Sequence, residues 1–96
     1  MQLARVVGTV VSTQKSQNLT GVKLLILEPL DPRTLATVGK PLVAVDGVGA
    51  GEGEVVLYVA GSSARLTERT KDKPVDATIM AIVDFVEVDG KQTFAK

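Results

Sequence analysis

The stretch Glu54-Val55-Val56-Leu57-Tyr58-Val59-Ala60 decides the fold. It is apolar from Val55 onward, with Gly47-Val48-Gly49-Ala50-Gly51-Glu52-Gly53 before it and Gly61-Ser62-Ser63 after it. A run this short, rich in β-branched residues and bounded by glycine, is a buried strand rather than a piece of helix. Its odd positions are Val55, Leu57 and Val59; its even positions are Val56, Tyr58 and Ala60. A half-buried strand would alternate apolar with polar, and this one does not. One face can line an interior. The other needs a cover of its own.

Outward from this strand, the same pattern recurs. Toward the N-terminus a strand is expected over Gln2 to Thr13, ending in the polar stretch Gln14-Lys15-Ser16-Gln17-Asn18. A second spans Val22 to Glu28 and is stopped by Pro29 and Pro32, which cannot donate to a ladder. Asp31 to Lys40 reads as a loop with a helical turn through Arg33-Thr34-Leu35-Ala36, and Pro41 to Asp46 as the third strand. Toward the C-terminus, Gly61-Ser62-Ser63-Ala64-Arg65-Leu66 reads as a short helix capped by a serine hydroxyl. A charged loop, Thr67 to Lys73, leads through Pro74 to a fifth strand, Ala77 to Val88. Asp89-Gly90 predicts a tight hairpin turn into a last strand over Gln92 to Ala95. With sixteen valines, three isoleucines and nine threonines, the composition agrees. Residues 1–96 make one domain with no internal repeat. The expected fold is all-β: a small five-stranded OB-like Greek-key β-barrel with one short helix and a C-terminal hairpin. An open sandwich is the alternative.

The second and fifth strands share the defect of the fourth. Val22, Leu24 and Ile26 stand against Leu25 and Leu27; Ile79, Ala81, Val83 and Phe85 stand against Met80, Ile82, Val86 and Val88. No long helix exists to cover three apolar outer faces, and leaving them in water would expose larger patches than monomers usually carry. Loops could cover one such face. For three, association with other subunits is expected.

Composition narrows the function. Eleven basic and eleven acidic residues cancel, whereas a protein that grips phosphates normally carries a basic excess. Cysteine and histidine are both absent, which removes disulfides, thiolate or imidazole metal sites, and any nucleophile or base built on those side chains. No apolar run approaches the roughly 18–20 residues of a membrane span. The opening Met1-Gln2-Leu3-Ala4-Arg5 does not read as a secretory leader, so a soluble cytoplasmic protein is expected.

The glycine-rich stretch Gly49-Ala50-Gly51-Glu52-Gly53-Glu54 is followed by a strand, not by the helix a dinucleotide fingerprint needs, and it lacks the Lys-Ser/Thr of a phosphate loop. It reads as a turn. Ser62 and Ser63 have no histidine to take a proton, so capping is the better account of them, with Arg65 in an ion pair between subunits. Asp46, Asp76 and Asp84 lie in or beside strands, where aspartates more often cap turns than gather around a hard cation. No catalytic residue, cofactor or metal is expected. The three aromatics, Tyr58, Phe85 and Phe94, are too few for a single-strand nucleic-acid platform, although a general OB-type binding module for single-stranded nucleic acid or another ligand is the second reading.

Nearly the whole chain resembles the pentameric vertex proteins of bacterial microcompartments, the EutN/CcmL family. Five pieces in order carry the resemblance: Leu3 to Thr13; Asn18-Leu19-Thr20-Gly21-Val22-Lys23-Leu24-Leu25; Ala44 to Leu57 through the glycine loop; Gly61-Ser62-Ser63-Ala64-Arg65; and Pro74-Val75-Asp76-Ala77 with Ile82-Val83-Asp84. One departure is Val55, where many relatives carry tryptophan. The resemblance implies a five-stranded OB-like barrel, a homopentamer, and a place at the vertices of a shell otherwise tiled by hexameric shell proteins, with no nucleic-acid or membrane partner. Residues expected at the subunit interface or ring axis are Asp46, Gly49, Ala50, Gly51, Glu54, Gly61, Ser62, Ser63, Arg65 and Asp84. The glycine loop followed by Gly61-Ser62-Ser63-Ala64-Arg65 looks nearer the catabolic type of compartment than the carboxysome type.

Overall fold

The computed structural model describes residues 1–12, 21–61 and 76–96. The strands are β1 (Gln2–Val10), β2 (Lys23–Pro29), β3 (Leu42–Asp46), β4 (Val55–Ala60), β5 (Ala77–Ile82), β6 (Phe85–Val88) and β7 (Lys91–Ala95). The first five close into a barrel in the order β1-β2-β3-β5-β4, and β6 and β7 form a separate two-stranded sheet. Every barrel pairing is antiparallel except β3 with β5, which run parallel through Val45↔Thr78 and Asp46↔Ile79. This is the expected OB-like barrel rather than a sandwich. The helix expected from Gly61 to Leu66 lies outside the described residues beyond Gly61, which takes a left-handed φ of 73°. Residues 62–75, and with them Ser62, Ser63 and Arg65, are not described.

The interior is filled from one face of each strand: Ala4 and Val6, Leu25 and Leu27, Ala44, Val56 and Tyr58, Ala77 and Ile79. Small residues sit among large ones, as the taper of a small barrel demands. The Tyr58 hydroxyl donates to Gln2 Oε1 at 2.5 Å, and burial pushes its pKa up.

Two expectations need correction. The predicted strand Ala77 to Val88 is two strands. It breaks at Val83-Asp84, where the Val83 amide donates to the Val55 carbonyl (2.8 Å) and the chain turns away from the barrel. The two-sided apolar pattern of β5 is also explained locally. Tyr58 pairs with Ile79 but Leu57 with Ala81, so Met80 is an extra, bulged residue. The bulge shifts the alternation, and both Ile79 and Ile82 pack on the interior cluster. A matching bulge at Val7 lies between Val6↔Leu27 and Gly8↔Ile26.

The hairpin forms as its turn predicts. Val88 pairs with Lys91, and Asp89 and Gly90 both take positive φ (53° and 78°), the geometry that suits a two-residue turn to strand twist. It covers the outer face of β4 and β1, where Leu3, Leu30 and Val55 pack with Leu35, Leu57, Val83, Val86 and Phe94. The second face of β4 is therefore covered by its own chain.

Candidate functional site

Two surfaces carry the polar and apolar features singled out in the sequence. The first is the glycine loop between β3 and β4. Asp46 has a side chain only 2% exposed, and its Oδ1 accepts from the Val48 and Gly49 amides at 3.0 and 3.1 Å. Its Oδ2 stands 3.5 Å from Lys23 Nζ, which also donates to the Ala50 carbonyl at 2.9 Å. Ala50 is fully buried in the interior cluster. Glu54 holds the other end: its Oε1 accepts from the Gly51 amide at 2.7 Å and its Oε2 pairs with Lys96 at 2.9 Å. The hydrogen bond from Lys96, then that from Gly51, holds the Glu54 carboxyl below its ordinary range, and the same pair raises Lys96. Gly49 and Gly53 supply φ of 82° and 87°, which the turn requires of them.

Of the residues expected at an interface, Asp46, Ala50 and Glu54 are thus engaged within their own chain. The reason is physical. A loop dense in glycine has high entropy, and two carboxylates binding its amides hold it in one shape. Gly49, Gly61 and Asp84 are exposed and Gly51 half-buried. Among the described residues, no group of three carboxylates converges as a metal site. The cleft beside the loop is lined by Gly21, Lys23, Asp46 and Gly47 to Gly49, and its two charges offset one another.

The second surface is the outer face of β1, β2 and β3, which sequence reasoning located on β2 but did not extend to its neighbours. The register places Ile26 beside Gly8 and Val43, and Leu24 beside Val10 and Val45. A Cβ on Gly8 would lie 3.3 Å from Ile26 Cδ1, so the missing side chain lets Ile26 lie flat across β1. Val43 is 47% exposed. Cross-strand adjacency is the signal that joins these residues, and it becomes visible only once the register is known.

The family model described as ethanolamine utilisation protein EutN/carboxysome matches residues 1–84. The chain belongs to this EutN/CcmL family. The match covers the whole barrel and ends one residue before β6. The carboxysome shell vertex protein CcmL of Gloeobacter violaceus is 45% identical over 100 residues, covering 100% of this chain and 95% of the relative. Its solved structure superposes with a TM-score of 0.93 at 44% identity, across 100% of this chain and 98% of that one. The bacterial microcompartment shell vertex protein EutN of Salmonella typhimurium is also 45% identical, over 100% of this chain and 96% of its own length. The solved GrpN of Rhodospirillum rubrum, a pentameric microcompartment shell protein, has a TM-score of 0.82 at 45% identity, covering 92% of this chain and 99% of that one. Relatives named for both compartment types match at similar identity, 49% for a CcmL and 45% for an EutN.

Proposed function

We propose that this chain is a non-enzymatic shell subunit that assembles into a homopentamer and closes the vertices of a bacterial microcompartment in the cytoplasm, with hexameric shell proteins at its rim. The observation that carries this reading is the likeness over the full chain to proteins named shell vertex proteins, one of them pentameric in its solved structure. A layer of six-fold tiles is flat, and five-fold units give it the curvature that closes it. A cyclic ring joins two different patches of each subunit, so apolar surface can be consumed on both sides.

The chemistry of the chain agrees. Without histidine the chain lacks the commonest general base, and without cysteine the most readily ionised nucleophile. The reading as a single-strand binder finds little support: Tyr58 lies in the interior, Phe94 is half-buried on the inner face of the hairpin, and Phe85 alone of the three rings is well exposed. One ring and a neutral net charge make neither a stacking platform nor a phosphate track.

Co-expression with the hexamer-forming shell proteins of the same organism tests the role. With this chain, electron microscopy should show closed polyhedra; without it, open sheets or tubes. Equal closure in both would remove the vertex role. A salt-sensitive affinity for single-stranded oligonucleotides would instead favour the binding-module reading.

A further inference from the structure

The two carboxylates that hold the glycine loop are set in different surroundings. Asp46, its side chain 2% exposed, binds the Val48 and Gly49 amides and pairs with Lys23 of the neighbouring strand. That half of the loop is tied within the barrel. Glu54, its side chain 24% exposed, binds the Gly51 amide through Oε1 at 2.7 Å and Lys96 through Oε2 at 2.9 Å. Lys96 follows β7, in a hairpin that is a sheet of its own, separate from the barrel. Its amide extends the hairpin by donating to the Asp84 carbonyl at 2.8 Å, so strand alternation puts Lys96 on the same face as Phe94. Phe94 reaches the same half of the loop by a second line: its ring faces the Arg5 guanidinium, and Arg5 Nη1 donates to the Gly53 carbonyl at 2.9 Å. Backbone bonds with Val6 pin Gly53 and Glu54 to β1. The stretch left to the Glu54 side chain is Gly51 and Glu52.

We propose that the end of the hairpin is a clasp on the glycine loop: Lys96 positions the Glu54 carboxylate, and through it the shape of Gly51 and Glu52. The loop then has a fixed half, held by Asp46, and a half that follows the hairpin. A partly exposed glutamate has several rotamers open to it, and two bonds at once select one of them. Only in that rotamer does the charge-assisted bond to the Gly51 amide reach full strength. The other charges nearby do not replace Lys96. Asp46 repels Glu54, Asp84 faces Lys96 itself, and Arg5 is bound to the Gly53 carbonyl. Lys96 is thus a positioning residue. The clasp lies within one chain and does not depend on the ring.

Amide hydrogen exchange of the full chain, read residue by residue by NMR, tests the clasp. In wild type the Gly51 amide should be protected. Lys96→Met should speed its exchange about two- to fivefold, the range for an ion pair with one half-exposed partner. Glu54→Ala removes the acceptor itself and should speed it about tenfold or more. Adding Lys96→Met to Glu54→Ala should change Gly51 no further, because Lys96 acts only through that carboxylate. The amides of Gly49, held by Asp46, and of Leu25, in the interior, should keep their wild-type rates in Lys96→Met. Three results at Gly51 would overturn the clasp: exchange at the unprotected rate in wild type, no change in Lys96→Met, or an effect of Lys96→Met that persists without Glu54. Equal acceleration at Gly49 and Leu25 would mean a general loosening of the subunit and would overturn it as well.

Discussion

The two outer sides of this barrel begin from the same kind of sequence and end differently. On the β1–β4 side, Leu3 and Val55 lie under the hairpin, 8% and 1% exposed. On the β2–β3 side, Val43 is 47% exposed beside Ile26. Both sides come from strands that fail to alternate. The difference is that the chain's own C-terminal segment reaches the first side and no described segment covers Val43 on the second. A two-sided apolar strand therefore asks for cover without saying whether the cover comes from the same chain or from another copy. A substitution that breaks the first cover should unfold the subunit; one on the second side should leave it folded.

The largest expected effect sets these two outcomes side by side. Val55→Asp puts a carboxylate into the apolar cluster under the hairpin; its cross-strand neighbour Arg5, already bound to the Gly53 carbonyl, offsets only part of the burial cost, and the loss should be on the order of 2–3 kcal/mol. Val43→Asp, at a half-exposed strand position, should cost the isolated subunit only about 1 kcal/mol. Urea unfolding of subunits dissociated by dilution measures both without the contribution of assembly. Similar losses in the two variants would break the distinction between the faces. Next in size is Phe94→Ala, which removes a half-buried ring from the covered side and the contact of Arg5 with its face (5.9 Å to the centroid). A loss of about 1–3 kcal/mol is expected, below the 3–5 of a fully buried phenylalanine.

Smaller effects concern the polar ties that hold the hairpin down. At its turn, Arg33 Nη1 pairs with Asp89 Oδ2 at 2.6 Å, and the Thr93 hydroxyl donates to the Pro32 carbonyl at 2.6 Å. The side chains of Arg33 and Asp89 are 65% and 74% exposed. Arg33→Ala should therefore cost only about 0.2–1 kcal/mol, and less in high salt. At the other end, Lys96 is tied to Glu54. Because the folded state holds the Glu54 carboxyl below its ordinary value of about 4.5, this pairing is complete above that value and is lost as pH falls through the lower folded one. Urea midpoints of wild type should fall in that window relative to those of Glu54→Gln, and parallel curves would remove Glu54 from the account.

Much of the barrel was legible in the sequence because its signals are local. Glycine and proline mark the strand ends around β2, β3 and β4, and Asp89-Gly90 fixes the hairpin turn. The break between β5 and β6 was missed because it has no glycine or proline. Its one local signal is Asp84, a residue depleted in strands, within an otherwise apolar run. The cover over Val55 was missed for the same reason: a single strand from Ala77 to Val88 leaves no segment free to fold back. The bulge at Met80 is a property of pairing, and no single-strand pattern reveals it. For the site, the glycine loop and its two carboxylates were legible as a unit, but the bonds of Asp46 and Glu54 to the loop's own amides were not read. Their spacing to the amides of Val48, Gly49 and Gly51 is the signature of side chains that bind their own loop.

The central claim is that this chain closes into a ring of five. Sedimentation velocity of the wild-type chain at micromolar concentration tests it most directly. A single species with the mass of five chains is predicted, with no two-chain or open-ended series beside it. A stable, folded monomer at that concentration would contradict it.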